Sequence, residues 1–115
     1  MRWLVCGGRD FQDTQRVFAC LDHVAKVVGK PEMLIVGDAR GADSSAKLWA
    51  KHRQIPGIMV RANWKRDGKS AGPKRNARML QYGPNLVIHF PGGAGTADMV
   101  HRAQAAEVET IEVPE

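Results

Sequence analysis

Five short apolar runs punctuate the chain, near 2–6, 33–36, 58–60, 86–90 and 110–113. Between them the apolar residues recur every three or four positions, the period of one helix face. Val17, Leu21, Val24 and Val28 form such a face over 14–28, with Asp13 as N-cap and Gly29 as stop. Ala46, Leu48, Trp49 and Ala50 are available for packing in a second helix over 43–53. A polar stretch, 63–72, reads as an unusually long loop. Pro73 suits the first turn of a third helix ending near Tyr82-Gly83, and Thr96 is placed to cap a fourth over 97–107. Strands alternating with helices predict a parallel sheet covered on both faces. The expected fold is therefore α/β: a Rossmann-like three-layer α/β/α sandwich with a five-stranded parallel sheet, spanning 1–115 as one domain. Right-handed crossovers put every strand-to-helix turn on one rim, and if the order is 3-2-1-4-5 the switch point lies between strands 1 and 4.

That rim gathers the glycine-rich turns. Strand 86–90 leads into Pro91-Gly92-Gly93-Ala94-Gly95-Thr96, and strand 2–6 into Gly7-Gly8-Arg9-Asp10. A strand, a glycine turn and a helix start offer backbone N–H groups and partial positive charge to an anion. The alternative for PGGAGT is a connection that only packs helix against sheet. Neither a P-loop nor the GxGxxG dinucleotide fingerprint is present, so no cofactor is expected. Arg9 is placed to reach a phosphate or to pair with Asp10 or Asp13. In Gly37-Asp38-Ala39-Arg40-Gly41-Ala42-Asp43, the carboxylates of Asp38 and Asp43 suit ribose hydroxyls, while Asp43 also reads as a helix cap and Arg40 as a ligand contact or a structural ion pair. Trp64 offers a face to a base or to the core. Arg75 and Asn76 fall near the rim, where a guanidinium fork suits a phosphate.

A net charge of +5 points to anionic partners, and 61–78 holds Arg61, Lys65, Arg66, Lys69, Lys74, Arg75 and Arg78 against Asp67 alone. The alternative is a solvated basic face. Cys6 and Cys20 sit in apolar patterns and read as free buried thiols of a reducing cytosol, and no Cys/His spacing suggests a metal. No apolar run approaches the ~18 residues of a membrane span, and the N-terminal apolar segment is too short for a signal peptide. A cytoplasmic protein without membrane contact is expected. His23, His52, His89 and His101 share no constellation; His89 reads as a packed strand residue.

In order, GGRD, ARGAD, W…GKSAGPKRN and FPGGAGTADMV resemble the YspA/YpsA-related branch of the SLOG superfamily over about residues 4–113. The superfamily includes the LONELY GUY phosphoribohydrolases and the Rossmann domain of the DNA-processing protein DprA. The resemblance implies a Rossmann-like domain for nucleotides or nucleotide-derived ligands, pairing of the domain into a homodimer, and an origin among bacteria and their phages. The LONELY GUY motif reads PGGxGTxxE, and its glutamate takes part in N-glycosidic cleavage; here Met99 holds that place and Asp98 precedes it. Where the family's second motif usually has a glycine pair this chain has Gly37-Asp38, which adds a carboxylate near the expected site. ARGAD and PKRN also resemble DprA segments that contribute to a single-strand DNA pocket.

Three functions follow as expectations. The first is binding of a nucleotide or an ADP-ribose-like ligand, in signalling or phage–host conflict, with phosphates on Gly92, Gly93, Gly95, Thr96 and Arg75, ribose at Asp38 or Asp43 and base at Trp64. The second is nucleoside 5′-monophosphate N-glycosidase activity, with Asp98 or Asp43 stabilising the oxocarbenium charge and positioning water. The third is single-stranded nucleic-acid binding through 61–78 with Trp64 stacking.

Overall fold

Each apolar run becomes a strand of one parallel sheet. The computed structural model describes residues 1–115, with β1 at Arg2–Cys6, β2 at Met33–Gly37, β3 at Gly57–Val60, β4 at Leu86–His89 and β5 at Glu109–Glu112. The sheet order is β3-β2-β1-β4-β5, and every neighbouring pair is parallel. Leu4 of the central strand lies opposite Ile35 on one side and Val87 on the other.

Alternation along the strands feeds two cores. Trp3, Val5, Leu34, Val36, Leu86 and Ile88 pack beneath α1 (Thr14–Val28) and α2 (Ala42–His52), and Trp3 stacks on Trp49 at 5.7 Å between ring centroids. Leu4, Cys6, Ile35 and Val87 face Met79 of α4 (Ala71–Leu80) and Met99 and Ala103 of α5 (Ala94–Ala105). A parallel sheet sealed on both faces explains why its strands read as nearly continuous apolar runs. The result is the α/β Rossmann-like sandwich that the sequence pattern predicts.

Asp13 caps α1 by accepting the Arg16 N–H at 3.1 Å, and Gly29 ends it at φ +92°. Two expectations are corrected. The stretch 63–72 is not a plain loop: it holds a short helix, α3 (Trp64–Asp67), then a 3₁₀ turn at Gly68–Ser70 that runs into α4. Asn63 caps α3 through the Arg66 N–H at 3.0 Å, and Asp67 binds Arg66 and Lys74, which compensates the local charge. Pro73 is tolerated two residues into α4 because a first-turn N–H has no helical acceptor to lose. Nor does Thr96 cap the last helix. α5 starts at Ala94, the Gly93 carbonyl accepts the Ala97 N–H at 3.1 Å, and Thr96 lies in the first turn with its hydroxyl folded over Gly92.

Candidate functional site

Above the switch point between β1 and β4 the turns enclose a cleft of about 670 Å³. One wall is Gly7, Gly8 and Arg9 after β1. The opposite wall is Trp64 of α3 and Arg75 and Asn76 of α4. Pro91 to Thr96 and Asp43 of α2 complete the lining.

The two glycine turns interlock. Gly8 donates its N–H to the Pro91 carbonyl at 2.8 Å, and a Cβ on Gly8 would lie 3.1 Å from the Gly92 Cα. Gly41 fixes the third turn against them: its φ is +81°, and a Cβ there would stand 2.5 Å from the carbonyl oxygens of both Gly8 and Arg9. Only a residue without a side chain fits that approach. In contrast, a Cβ on Gly93 or Gly95 would meet nothing within 4 Å. Beside them, the N–H groups of Gly93, Ala94, Gly95 and Thr96 have no acceptor in the chain. They form the free N-terminal turn of a 12-residue helix, and they line the cleft.

A polar network ties the cleft's far wall together. Arg75 Nη1 donates to Asp38 Oδ1 at 2.7 Å and its Nε to Asn76 Oδ1 at 3.2 Å. Asn76 Nδ2 donates to the Gly95 carbonyl at 3.1 Å and to Asp98 Oδ2 at 3.0 Å, and Arg102 Nε reaches the same oxygen at 2.8 Å. The network joins the end of β2 to α4 and α5. The Arg75 guanidinium lies against the Gly37 backbone, since a Cβ on Gly37 would be 2.6 Å from Nη1 and 2.8 Å from Asp43 Oδ2.

Asp43 is 5% exposed, and its recorded hydrogen bond is a 3.2 Å one from the Ala39 N–H. Burial pushes its carboxyl up to about 6, with Arg75 opposing the rise. Asp98 differs. Partial burial pushes its proton affinity up, but hydrogen bonds from Asn76 and Arg102 outweigh this and hold the carboxyl below the usual carboxylate range.

The structure thus brings Gly7, Gly8, Arg9, Asp43, Trp64, Arg75, Asn76, Pro91, Gly92, Gly93, Gly95 and Thr96 to one cleft. Asp38, Arg40, Gly41 and Asp98 stand outside its wall. Asp38 is taken by Arg75 and by the Ala62 N–H at 3.3 Å. Arg40 pairs with Asp10 at 3.1 Å, both exposed. Asp43 lies within the first turn of α2, whose cap is Gly41, so it does not act as the cap. Trp64 is 52% exposed and does not join the core; one ring edge rests near Gly72. Met99 is fully buried in the α4–α5 core, so the place of the LONELY GUY glutamate faces away from solvent. Cys6 and Met79 also reach the cleft wall. Cys6 could have been found as the last strand residue before GGRD, and Met79 as one helical turn beyond Arg75.

A family model, the YspA, cpYpsA-related SLOG family, matches residues 1–66. The Gene 61 protein of Mycobacterium phage D29 is 35% identical over 120 residues, which cover 96% of this chain and 94% of that protein. No solved structure matches the chain. Glycine turns meeting at the switch point, a family model over more than half the length and an end-to-end phage relative agree, and the chain belongs to the YspA, cpYpsA-related SLOG family.

Proposed function

We propose that the cleft binds a nucleotide or a nucleotide-derived phosphorylated molecule. The observation that carries this reading is the run of four free N–H groups from Gly93 to Thr96 at the start of α5, beside two glycines whose missing side chains leave open space. Helix N-termini of this kind hold phosphates. Arg9 supplies a nearby cation that meets no carboxylate within the chain. Asp43 lines the cleft and Asp38 is engaged by Arg75, which supports Asp43 over Asp38 as the carboxylate for ribose hydroxyls. Trp64 offers an exposed ring for the base. Membership of the family supports the same ligand class.

The test is direct. Mass spectrometry of small molecules released from freshly purified protein is expected to yield a nucleotide-derived phosphate, and calorimetric titration with AMP or ADP-ribose to show binding. Gly93→Val is expected to abolish that binding while leaving the melting temperature nearly unchanged, because a Cβ at that position meets no protein atom within 4 Å and the branch extends from a residue that lines the cleft. Unaltered affinity in Gly93→Val would remove the phosphate cradle from the reading.

A second reading, cleavage of the N-glycosidic bond of a nucleoside monophosphate, is favoured by one observation. Asp43 is a buried carboxylate at the cleft whose proton affinity lies near neutrality, the range useful for acid–base work.

A further inference from the structure

Trp64 belongs to two depressions at once. Its ring lines the phosphate cleft, and it also lines a neighbouring groove of about 620 Å³ formed by the segment 61–66 and α4. That groove's wall carries Arg61, Lys65, Arg66 and Arg78 and no carboxylate. Two of these cations are committed: Arg66 to Asp67 at 3.0 Å and Arg78 to the Arg61 carbonyl at 2.6 Å. The side chains of Arg61 and Lys65 meet no acceptor in the chain. A mononucleotide held on the α5 turn with its base at Trp64 leaves both unused.

We propose that the ligand is a 5′-phosphorylated oligonucleotide of at least two residues. This rests on the cleft reading above and extends it across Trp64. The terminal phosphate sits on the free N–H groups of α5. A base stacks on Trp64, which takes any base because every base has a π face. The linking phosphodiester passes into the groove, where Arg61 and Lys65 neutralise it. The site therefore selects for chain length, and it does so through residues remote from the glycine turns.

The experiment is a calorimetric series on the intact protein with 5′-phosphorylated adenylates of one, two and three residues, in ribo and deoxy forms. The second residue is expected to improve affinity about tenfold, the scale of charge-assisted contacts to its linking phosphodiester. Affinity for the dinucleotide should also fall more steeply with salt than that for AMP, by about 0.7 in the log–log slope for the one added phosphate. The double variant Arg61→Ala/Lys65→Ala, both surface changes, is expected to erase the gain and leave AMP affinity as it was. A tenfold preference for ribo or deoxy chains assigns the source as RNA or DNA. Equal affinity across the length series, or equal loss of AMP and dinucleotide binding in the double variant, overturns the inference while the cleft reading stands. Absence of binding for every member of the series overturns the inference, and if no nucleotide-derived phosphate is released from the purified protein either, it overturns the cleft reading too.

Discussion

Asp43 carries the strongest conflict of any single residue. Its carboxyl is raised to about 6 by burial, so folding favours the protonated form. The associated stability is fully present below the unfolded carboxylate range and is lost as pH rises through about 6. A rise of about two pH units corresponds to ~2–3 kcal/mol at neutral pH. Asp43→Asn keeps an oxygen for the Ala39 N–H and removes the ionisation. It is therefore expected to melt higher than the wild-type chain at pH 8 and nearly the same at pH 4. A constant difference in melting temperature between the two pH values would mean that Asp43 is not forced to ionise in a buried place. The same residue decides the enzyme question. Met99 is buried and has no proton to exchange, and Asp98 is bound by Asn76 and Arg102. Little or no base is expected to be released from AMP, CMP, GMP or UMP on chromatography. Turnover near one per second that vanishes in Asp43→Asn would establish the glycosidase reading instead.

Among the elements, α4 does most to define the site. It sends Arg75 to Asp38 at the end of β2 and Asn76 to α5, adding side-chain ties across the rim to the backbone pairing of β1 with β4. The fork of Arg75 is 13% exposed and already shared between Asp38 and Asn76. Its removal should therefore cost stability as well as phosphate affinity. Arg75→Ala is expected to lower folding stability by ~1–3 kcal/mol, the range for leaving charged partners unsatisfied, as read by denaturant unfolding. It should also move the Asp43 carboxyl above about 6, because Arg75 is the charge that opposes the rise. Carboxyl NMR titration measures this, and an unshifted Asp43 would show that Arg75 exerts no field there. The earlier start of α4, and the order within 63–70, escaped the sequence pattern for a physical reason. They are set by Asn63 and Asp67 accepting hydrogen bonds from neighbours, not by apolar periodicity.

For the whole molecule, the five-stranded parallel sheet was legible because short apolar strands, regular alternation and crossover handedness leave few arrangements, of which the order 3-2-1-4-5 is one. Asp13, Gly29 and the convergence of the glycine turns were legible for similar local reasons. What escaped was pairing at a distance. Nothing in the spacing of Asp38 and Arg75, or of Arg40 and Asp10, announces which carboxylate each guanidinium will choose. The departure of Met99 into the core was likewise decided by helix rotation against the sheet, a property of packing rather than of motif.

The glycines of the rim fall into two kinds, and the difference bears on heat tolerance. Gly41 is closed in by carbonyl oxygens, whereas Gly93 and Gly95 face empty space. Gly95 sits in the first turn of α5, at no positive φ. A methyl group there is compatible with the helix and narrows the unfolded ensemble, so Gly95→Ala is expected to add ~0.5–1 kcal/mol of stability. That is a rise of a few degrees in melting temperature for a domain of this size, read by calorimetry, with weaker AMP binding alongside. A lower melting temperature would show that the backbone at 95 needs glycine for its own sake. The gap at the start of α5 is thus kept at the expense of rigidity, and selection for thermal endurance alone would fill it.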